Sequence, residues 1–196
     1  MQSLGWKFIR DSMARTRRDI SFKRCFVALG LCLGVSSAAL CANAKTPEEV
    51  PIGGTLREAT LQGLNGPPRP LQAFRGRPLI INVWASWCGP CREEMASLER
   101  LAWREDGHDF AIIGISTDDE AEQARSLLRE THATISHYID TGLQMEHMLG
   151  ATHLPLTVLV GADGTVLEKI YGARQWDGDE AARLIAAAFH RTRRAP

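Results

Sequence analysis

The chain has few cysteines and no excess of charge of either sign. Five of its 196 residues are Cys, and Lys plus Arg equal Asp plus Glu at 23 each. So few cysteines in a chain of this length do not form the dense disulfide framework of small secreted domains. The balanced charge also gives no strongly basic surface, so we expect no nucleic-acid partner.

Long hydrophobic runs are absent except for one near the N-terminus, residues 25–40. Its sixteen residues are fewer than the about 20 that a membrane-spanning helix needs. Seven Lys or Arg precede it and Ala42-Asn43-Ala44 follows it, an arrangement typical of a signal peptide cleaved after Ala44. We therefore predict that residues 1–44 are a signal peptide for export, with an uncleaved membrane anchor as the alternative.

Removal of this leader changes both the charge and the cysteine content. The remaining chain has 16 Lys or Arg against 21 Asp or Glu, and Cys88 and Cys91 are its only cysteines. The loop that these two residues close is too short to stabilise the fold by restricting the unfolded chain. The pair is therefore expected to serve chemistry rather than stability.

Beyond the leader, the sequence indicates a single domain without internal repeats. The polar, proline-containing segment at residues 45–55 is predicted to be a flexible lead-in, and residues 191–196 form a short basic tail. Between them, residues 56–190 have the length of one ordinary globular domain.

Apolar and polar patterns within that domain predict both strands and helices. Asn65-Gly66 predicts the tight turn of a β-hairpin within residues 56–74, and Asp118 with Asp119 is placed to cap a helix. We expect an α/β fold: a mixed β-sheet flanked by helices on both faces, with an N-terminal β-hairpin extension. The predicted strands are 79–84, 110–115, 136–139, 154–160 and 166–171, and the predicted helices are 92–104, 120–129, 145–149 and 177–190.

The sequence Trp87-Cys88-Gly89-Pro90-Cys91 follows the first predicted buried strand and precedes a helix. A thiolate is the attacking species in disulfide exchange, and the unpaired N–H groups of a helix N-terminus stabilise it. Cys88 is placed to receive that stabilisation, and the spacing brings Cys91 onto the first turn beneath it. The pair is therefore predicted to be a redox-active disulfide with Cys88 as nucleophile and Cys91 as resolving thiol.

Metal binding is the main alternative chemistry. A Cys-x-x-Cys pair forms half of many zinc sites, but no second pair follows the leader and the His residues show no completing spacing, so we predict no metal and no cofactor. Copper is a weaker alternative, because thioether and imidazole ligands suit Cu(I). Four such residues lie close in sequence: Met145, His147, Met148 and His153. The two methionines and Leu149 are, however, spaced like the buried face of a short helix.

The segment from Ile81 to Glu94 reads Ile-Asn-Val-Trp-Ala-Ser-Trp-Cys-Gly-Pro-Cys-Arg-Glu-Glu. It resembles the thioredoxin superfamily, and in particular its exported TlpA/ResA-like branch. The resemblance is strongest at residues 79–98 and 154–164. It implies a thioredoxin-like fold and a reducing thiol–disulfide oxidoreductase of the bacterial periplasm or outer membrane face.

The resemblance also implies a substrate platform. Members of the family have a cis-proline that faces the dithiol, and Pro155 stands at the corresponding place. The bend would expose the backbone of Leu154, with which a substrate strand can pair. By resemblance Trp87 is partly exposed and lines the substrate groove, whereas Trp84 is expected to pack in the core.

Positions near the dithiol differ from generic thioredoxins. Asn82 stands where those proteins have a buried acid, and it cannot accept the proton of the resolving thiol. In some family members a Glu three residues after the second cysteine is assigned to proton management; this is Glu94, for which a solvated helix glutamate is the alternative. Ala96 replaces a proline that often kinks the helix, so we expect a straighter helix. No role is assigned to Trp176.

Together these features predict a periplasmic dithiol reductase whose partners are exported proteins with cysteines or disulfides. A membrane thiol carrier is expected to donate its electrons, and the resemblance suggests cytochrome c maturation or copper-site assembly. Gly89-Pro90 matches reducing members, while a periplasmic oxidase or isomerase is the alternative and a copper-binding chaperone a more distant one. Membrane contact is expected only through an N-terminal anchor.

Overall fold

A computed structural model describes residues 48–104 and 109–192. The predicted signal peptide at residues 1–44 lies outside the described residues, as does most of the predicted basic tail. No helix within the two described ranges is both long enough and apolar enough to span a membrane.

The described residues form seven strands and four α-helices. The strands are β1 (Thr60–Gly63), β2 (Arg69–Pro70), β3 (Leu79–Trp84), β4 (Ala111–Ser116), β5 (Ser136–Ile139), β6 (Leu156–Val160) and β7 (Val166–Tyr171). The helices are α1 (Gly89–Ala102), α2 (Ala121–Glu130), α3 (Gln144–Leu149) and α4 (Asp179–Thr192), and a 3-10 turn spans Leu71–Phe74.

All seven strands belong to one sheet with the order β2-β1-β5-β4-β3-β6-β7. The pairs β3–β4 and β4–β5 are parallel, and the other neighbouring strands pair in antiparallel fashion. The predicted mixed sheet is therefore confirmed.

The central strand β3 is buried along its whole length. Its alternate side chains point to opposite faces of the sheet. Ile81 and Val83 join the core cluster that includes α3, whereas Ile80 and Trp84 join clusters formed with the other three helices. Helices thus cover both faces, as predicted.

The helix that follows the dithiol, α1, has two different sides. Leu98 and Leu101 pack in one cluster with Trp176 and α4, which we term the α4 flank. Cys91 and Met95 pack in another cluster with Trp84 and α2, which we term the α2 flank. The dithiol therefore lies above two separately packed regions on the same face of the sheet.

The described part of the lead-in, residues 48–55, forms hydrogen bonds and an ion pair with the rest of the domain. The Val50 N–H donates a hydrogen bond to the Met148 carbonyl at 2.9 Å, and residues 53–54 exchange hydrogen bonds with the first residue of β7. The Glu49 carboxylate lies 2.6 Å from Lys169 Nζ, and both side chains are mostly buried. From Glu49 onward this polar segment therefore has partners on α3 and β7, and its flexibility stays a prediction.

β1 and β2 pair in antiparallel fashion, but their connection differs from the predicted one. Residues 64–68 link the strands, which is longer than a tight two-residue turn at Asn65-Gly66. The Asn65 side chain instead docks on β5: it accepts a hydrogen bond from the His137 N–H and donates one to the Ile135 carbonyl, both at 2.8 Å. Local turn preference is overridden by this long-range pairing.

Candidate redox-active site

Cys88 and Cys91 are joined by a disulfide at the start of α1. Cys88 is the N-cap residue, and its Sγ accepts a hydrogen bond from the Cys91 N–H at 3.2 Å. Pro90 lies in the first turn, where its missing N–H costs no helical hydrogen bond. Cys88 is 5% exposed and Cys91 is 0% exposed, so the first sulfur is the accessible one. The predicted position of Cys88 at a helix N-terminus is confirmed.

The loop that precedes the dithiol is held by Asp118, which follows β4. The Asp118 carboxylate accepts hydrogen bonds from the Ser86 N–H at 3.0 Å and from Ser86 Oγ at 2.7 Å. Ser116 Oγ donates to the same carboxylate at 2.7 Å. The prediction that Asp118 and Asp119 cap α2 is wrong, because Glu120 is its N-cap residue and Asp118 is committed to the active-site loop.

The Leu154–Pro155 peptide bond is cis, as predicted. The Pro155 carbonyl accepts a hydrogen bond from the Gly172 N–H at 2.9 Å, which ties the bend to the end of β7. Leu154 is partly buried against the cluster that contains both cysteines. Within the described ranges no residue forms a backbone hydrogen bond with Leu154, and its pairing with a substrate strand stays a prediction.

The two tryptophans near the active-site loop differ in exposure. Trp87, which directly precedes Cys88, is 71% exposed, whereas Trp84 at the end of β3 is fully buried. Both predicted environments are confirmed. A role of Trp87 in substrate binding stays a prediction.

Glu94 lies on α1 one turn after Cys91 and is buried. Asn82 Nδ2 donates to Glu94 Oε1 at 2.7 Å. Trp176 Nε1 at 2.9 Å and the Arg174 backbone N–H at 3.1 Å both donate to Glu94 Oε2. The alternative of a solvated helix glutamate is therefore wrong, and the carboxyl group belongs to a closed hydrogen-bond network on the α4 flank.

Two opposing influences set the pKa of Glu94. Burial raises this pKa above its ordinary value of 4.5, because desolvation disfavours the carboxylate. Hydrogen bonds from Trp176, Asn82 and the Arg174 N–H act in the lowering direction, since donors stabilise the charged form. Burial is the larger influence, so the pKa is raised, while the three donors partly offset it by stabilising the charged form. The carboxyl group of Glu94 is therefore both desolvated and hydrogen-bonded.

Trp176 is the member of this network that sequence analysis missed. It is fully buried in the connection between β7 and α4. It lies 82 residues after Glu94, and no local motif links the two positions. Only the packing of that connection against α1 reveals the contact.

Polar groups on the α2 flank have a different environment. Trp84 Nε1 and both ring nitrogens of His137 are buried and have no hydrogen-bond partner among the described residues. The two rings meet edge to face with centroids 5.4 Å apart. Gly114 permits this packing, because a Cβ there would lie 2.1 Å from His137 Nδ1. Burial lowers the pKa of His137 to about 3, so the ring is neutral at ordinary pH.

The residues considered as copper ligands lie in different environments. Met145 and Met148 are buried in the core cluster on the α3 side of the sheet, as their helical spacing predicts. His147 Nδ1 lies 3.5 Å from the Glu48 carboxylate, and His153 is exposed. In the part of the chain that the structure describes, no three His, Cys, Asp or Glu side chains are arranged to hold a metal ion.

Known proteins are similar to this chain in sequence and in architecture. The sequence profile of the Redoxin family matches residues 51–185. The thiol:disulfide interchange protein DsbE of Allochromatium vinosum is 30% identical over 178 residues, which cover 86% of this chain and 96% of that protein. The thiol-disulfide oxidoreductase ResA of Bacillus thuringiensis is 25% identical over 149 residues, which cover 76% of this chain and 86% of that protein. A crystal structure from Chlorobium tepidum, described as a DsbE-type interchange protein, superimposes with a TM-score of 0.65 at 24% identity and covers 71% of this chain and 98% of that one.

Proposed function

Since the chain belongs to the Redoxin family and is a thiol–disulfide oxidoreductase that acts on cysteine-containing proteins, we propose that it reduces disulfides of exported proteins in the periplasm. One observation carries the proposal: the two thiols are unequal. Cys88 caps α1 and is the more exposed of the two at 5%, whereas Cys91 is fully buried one turn before a buried carboxyl group. This arrangement separates an attacking thiol from a resolving thiol.

The proposed reaction begins with Cys88 of the reduced protein, whose thiolate is favoured by the helix N-terminus and the Cys91 N–H. Cys88 Sγ attacks one sulfur of the substrate disulfide, the other substrate sulfur leaves as a thiolate, and a mixed disulfide forms. Cys91 then loses its proton, attacks Cys88 Sγ and expels the second substrate sulfur. Two electrons pass to the substrate, and the Cys88–Cys91 disulfide remains.

Glu94 is proposed to accept the Cys91 proton in the second step. Residues three apart on a helix occupy neighbouring positions, so the proposed transfer would run from Cys91 to the carboxyl group directly or through one water. Asn82 supports the role indirectly, because it donates to Glu94 rather than titrating itself. Glu94 is thus assigned as a catalytic residue together with the two cysteines.

Substrate binding is proposed to use Trp87, Leu154 and Pro155. The exposed indole of Trp87 offers apolar area beside Cys88. The open main chain of Leu154 is able to pair with an extended segment of the substrate, as in strand addition. Such pairing is independent of sequence, which suits an enzyme that reads the backbone around a disulfide rather than one side-chain pattern.

The proposed cellular setting follows from the leader and the family resemblance. An N-terminal signal, cleaved or retained as an inner-membrane anchor, would bring the domain to the periplasm. A membrane thiol carrier would reduce the Cys88–Cys91 disulfide after each turnover. Disulfides of apocytochrome c and of proteins that assemble copper sites are the proposed substrate classes.

The direction of electron flow is tested by an equilibrium redox titration of the purified protein against glutathione or dithiothreitol. A reductase is expected to have a potential near that of thioredoxin, about −270 mV, whereas a potential near about −120 mV would contradict the proposal and favour an oxidase. Pro90→His is the matched control, because strongly oxidising relatives usually carry His between the cysteines, and this variant is expected to raise the potential.

A further inference from the structure

In the connection between β7 and α4, Trp176 contacts α1 through both of its N–H groups. Trp176 Nε1 donates to Glu94 Oε2 at 2.9 Å, and the Trp176 backbone N–H donates to Ser97 Oγ at 3.0 Å. Ser97 Oγ in turn donates to the Glu94 carbonyl at 2.7 Å. The indole is fully buried, so its N–H is held in one direction and is not shared with solvent.

We propose that Trp176 is a positioning residue for the resolving step: its indole N–H fixes the Glu94 carboxylate in the orientation and charge state from which it takes the Cys91 proton. The inference rests on the proposed role of Glu94. Trp176 does not touch the reacting sulfur atoms in this assignment, and it acts only through the carboxylate.

The indole supplies one of three donors to the carboxylate, and it is the one that a conservative substitution removes. The Arg174 donor is a backbone N–H, which every residue except proline retains, and Asn82 donates to the other oxygen. Trp176→Phe keeps the buried ring and the backbone contact with Ser97 while it deletes the N–H. Loss of a donor disfavours the charged carboxylate, so Glu94 would stay protonated to a higher pH.

Other charged groups around Glu94 are already paired or lie on its own helix. In the β7–α4 connection, Arg174 Nη1 pairs with Glu180 at 2.8 Å and Asp177 pairs with Arg100 at 2.6 Å. The sheet presents Asn82 from β3 and Thr157 from β6, neither of which titrates. On α1 itself Arg92 and Glu93 are exposed to solvent, and Cys91 is the buried titratable group, one turn before Glu94. A shift in the pH profile of the resolving step therefore reports on the Glu94 and Cys91 pair.

The test separates the two thiols in time. Reduced protein is mixed with dithiobis(nitrobenzoate) in a stopped-flow instrument, where the attack of Cys88 releases one thionitrobenzoate and the attack of Cys91 on the mixed disulfide releases the second. In Trp176→Phe we expect the acid limb of the second phase to move up by about one pH unit, which is an about tenfold slower second phase below that limb. The first phase is expected to keep its rate and pH profile.

Trp84→Phe is the matched control, because Trp84 is also fully buried near α1 but its Nε1 contacts no described donor or acceptor. It is expected to leave the pH position of the second phase unchanged. An equal shift in both variants, or a shift of both phases in Trp176→Phe, would assign Trp176 a packing role and overturn the proposal.

Glu94→Gln distinguishes failure of this inference from failure of the proposed function. If Glu94→Gln slows the second phase but Trp176→Phe does not shift it, the positioning role is overturned and the role of Glu94 stands. If Glu94→Gln leaves the second phase unchanged, the proposed role of Glu94 fails and the inference fails with it. In the Glu94→Gln background, Trp176→Phe is expected to cause no further shift.

A second variant keeps the test independent of folding defects. Replacement of Trp176 by benzothienylalanine, which has sulfur in place of the indole N–H, preserves the shape of the ring and deletes only the donor. It is expected to reproduce the shift of Trp176→Phe, and an unshifted second phase in this variant would overturn the proposal.

Discussion

The two flanks of α1 differ in the hydrogen bonding of their buried tryptophan and of their buried titratable side chain. On the α4 flank the Glu94 carboxylate accepts three hydrogen bonds, and Asn82 also donates to Thr157 Oγ1 at 3.1 Å. On the α2 flank, Trp84 Nε1 and the His137 ring have no hydrogen-bond partner among the described residues. Each flank contains one fully buried tryptophan, so the flanks differ in what the indole touches rather than in burial.

Burial has different consequences for the titratable side chain on each flank. Desolvation favours the neutral form of both Glu94 and His137. On the α4 flank three hydrogen-bond donors oppose this effect by stabilising the charged form of Glu94. No hydrogen bond opposes it at His137 on the α2 flank. His137 is therefore a neutral packing residue, and Glu94 remains able to gain and lose a proton.

Replacing one buried polar residue on each flank by Leu is expected to give the largest difference in the free energy of unfolding. Asn82→Leu removes a donor from the Glu94 carboxylate and is expected to lower the free energy of unfolding by about 3 kcal/mol. His137→Leu removes a ring without hydrogen-bond partners and is expected to raise the free energy of unfolding by about 1 kcal/mol. Urea unfolding at neutral pH measures both. Equal losses in the two variants would show that the flanks do not differ in this way.

Acid is expected to separate the flanks as well. The pKa of His137 is about 3 in the folded protein, below its ordinary value of 6.5, so the unfolded chain binds more protons between these values. Proton uptake by the unfolded chain therefore lowers the stability of the fold as the pH falls below the ordinary pKa, by about 2 kcal/mol between roughly pH 7 and pH 5. Urea unfolding across this range should show that His137→Leu abolishes this part of the loss.

Glu94 provides the control for that pH series, because its effect has the opposite sign. A raised pKa in the folded state favours folding at low pH, and this stability is lost as the pH rises through the folded pKa. Glu94→Gln should therefore leave the acid loss in place. If Glu94→Gln removed the acid loss of stability and His137→Leu did not, the titrating group would lie on the α4 flank and this prediction would be wrong.

The two buried tryptophans allow a smaller, matched comparison of stability. Trp176→Phe and Trp84→Phe remove similar buried volume, but only the first deletes a hydrogen bond to a carboxylate. We expect Trp176→Phe to lower the free energy of unfolding by about 1.5 kcal/mol more than Trp84→Phe does. Denaturant unfolding of both variants measures the difference, and equal losses would mean that the indole N–H contributes nothing to folding.

Thr157→Val tests the outermost contact of the network and has the smallest expected effect. It removes the acceptor of the second Asn82 hydrogen bond while keeping the side-chain shape, and we expect a loss of about 0.5–1 kcal/mol in the free energy of unfolding. A loss as large as that of Asn82→Leu would identify Thr157, rather than Glu94, as the main partner of Asn82.

Features with a local signal were predictable from the sequence. The continuous apolar run at residues 79–84 predicted a fully buried strand, and the helical spacing after Cys91 predicted α1. The helix begins at Gly89 rather than at Arg92, because Cys88 itself serves as the N-cap. The cis bond before Pro155 followed from the family resemblance, since a proline alone does not indicate the isomer.

Features that depend on distant partners were not predictable. Glu49 pairs with a lysine 120 residues away, so the polar lead-in carried no sign that it would be fastened down. Asp118 had the residue type and position of a helix cap, but Ser86 across the active-site loop is its partner. Glu94 could be assigned to either solvent or the site until Trp176 was placed beside it. In each case tertiary contact decides between two locally reasonable structures.

The unequal exposure of the two sulfurs also determines the chemistry of re-reduction. An incoming donor thiol reaches Cys88 but not the fully buried Cys91, so Cys91 is the leaving group each time the disulfide is opened. If Glu94 takes the Cys91 proton during substrate reduction, as proposed, microscopic reversibility requires the same group to return it when Cys91 departs. In that mechanism Glu94 would serve both half-reactions, as proton acceptor during substrate reduction and as proton donor during re-reduction.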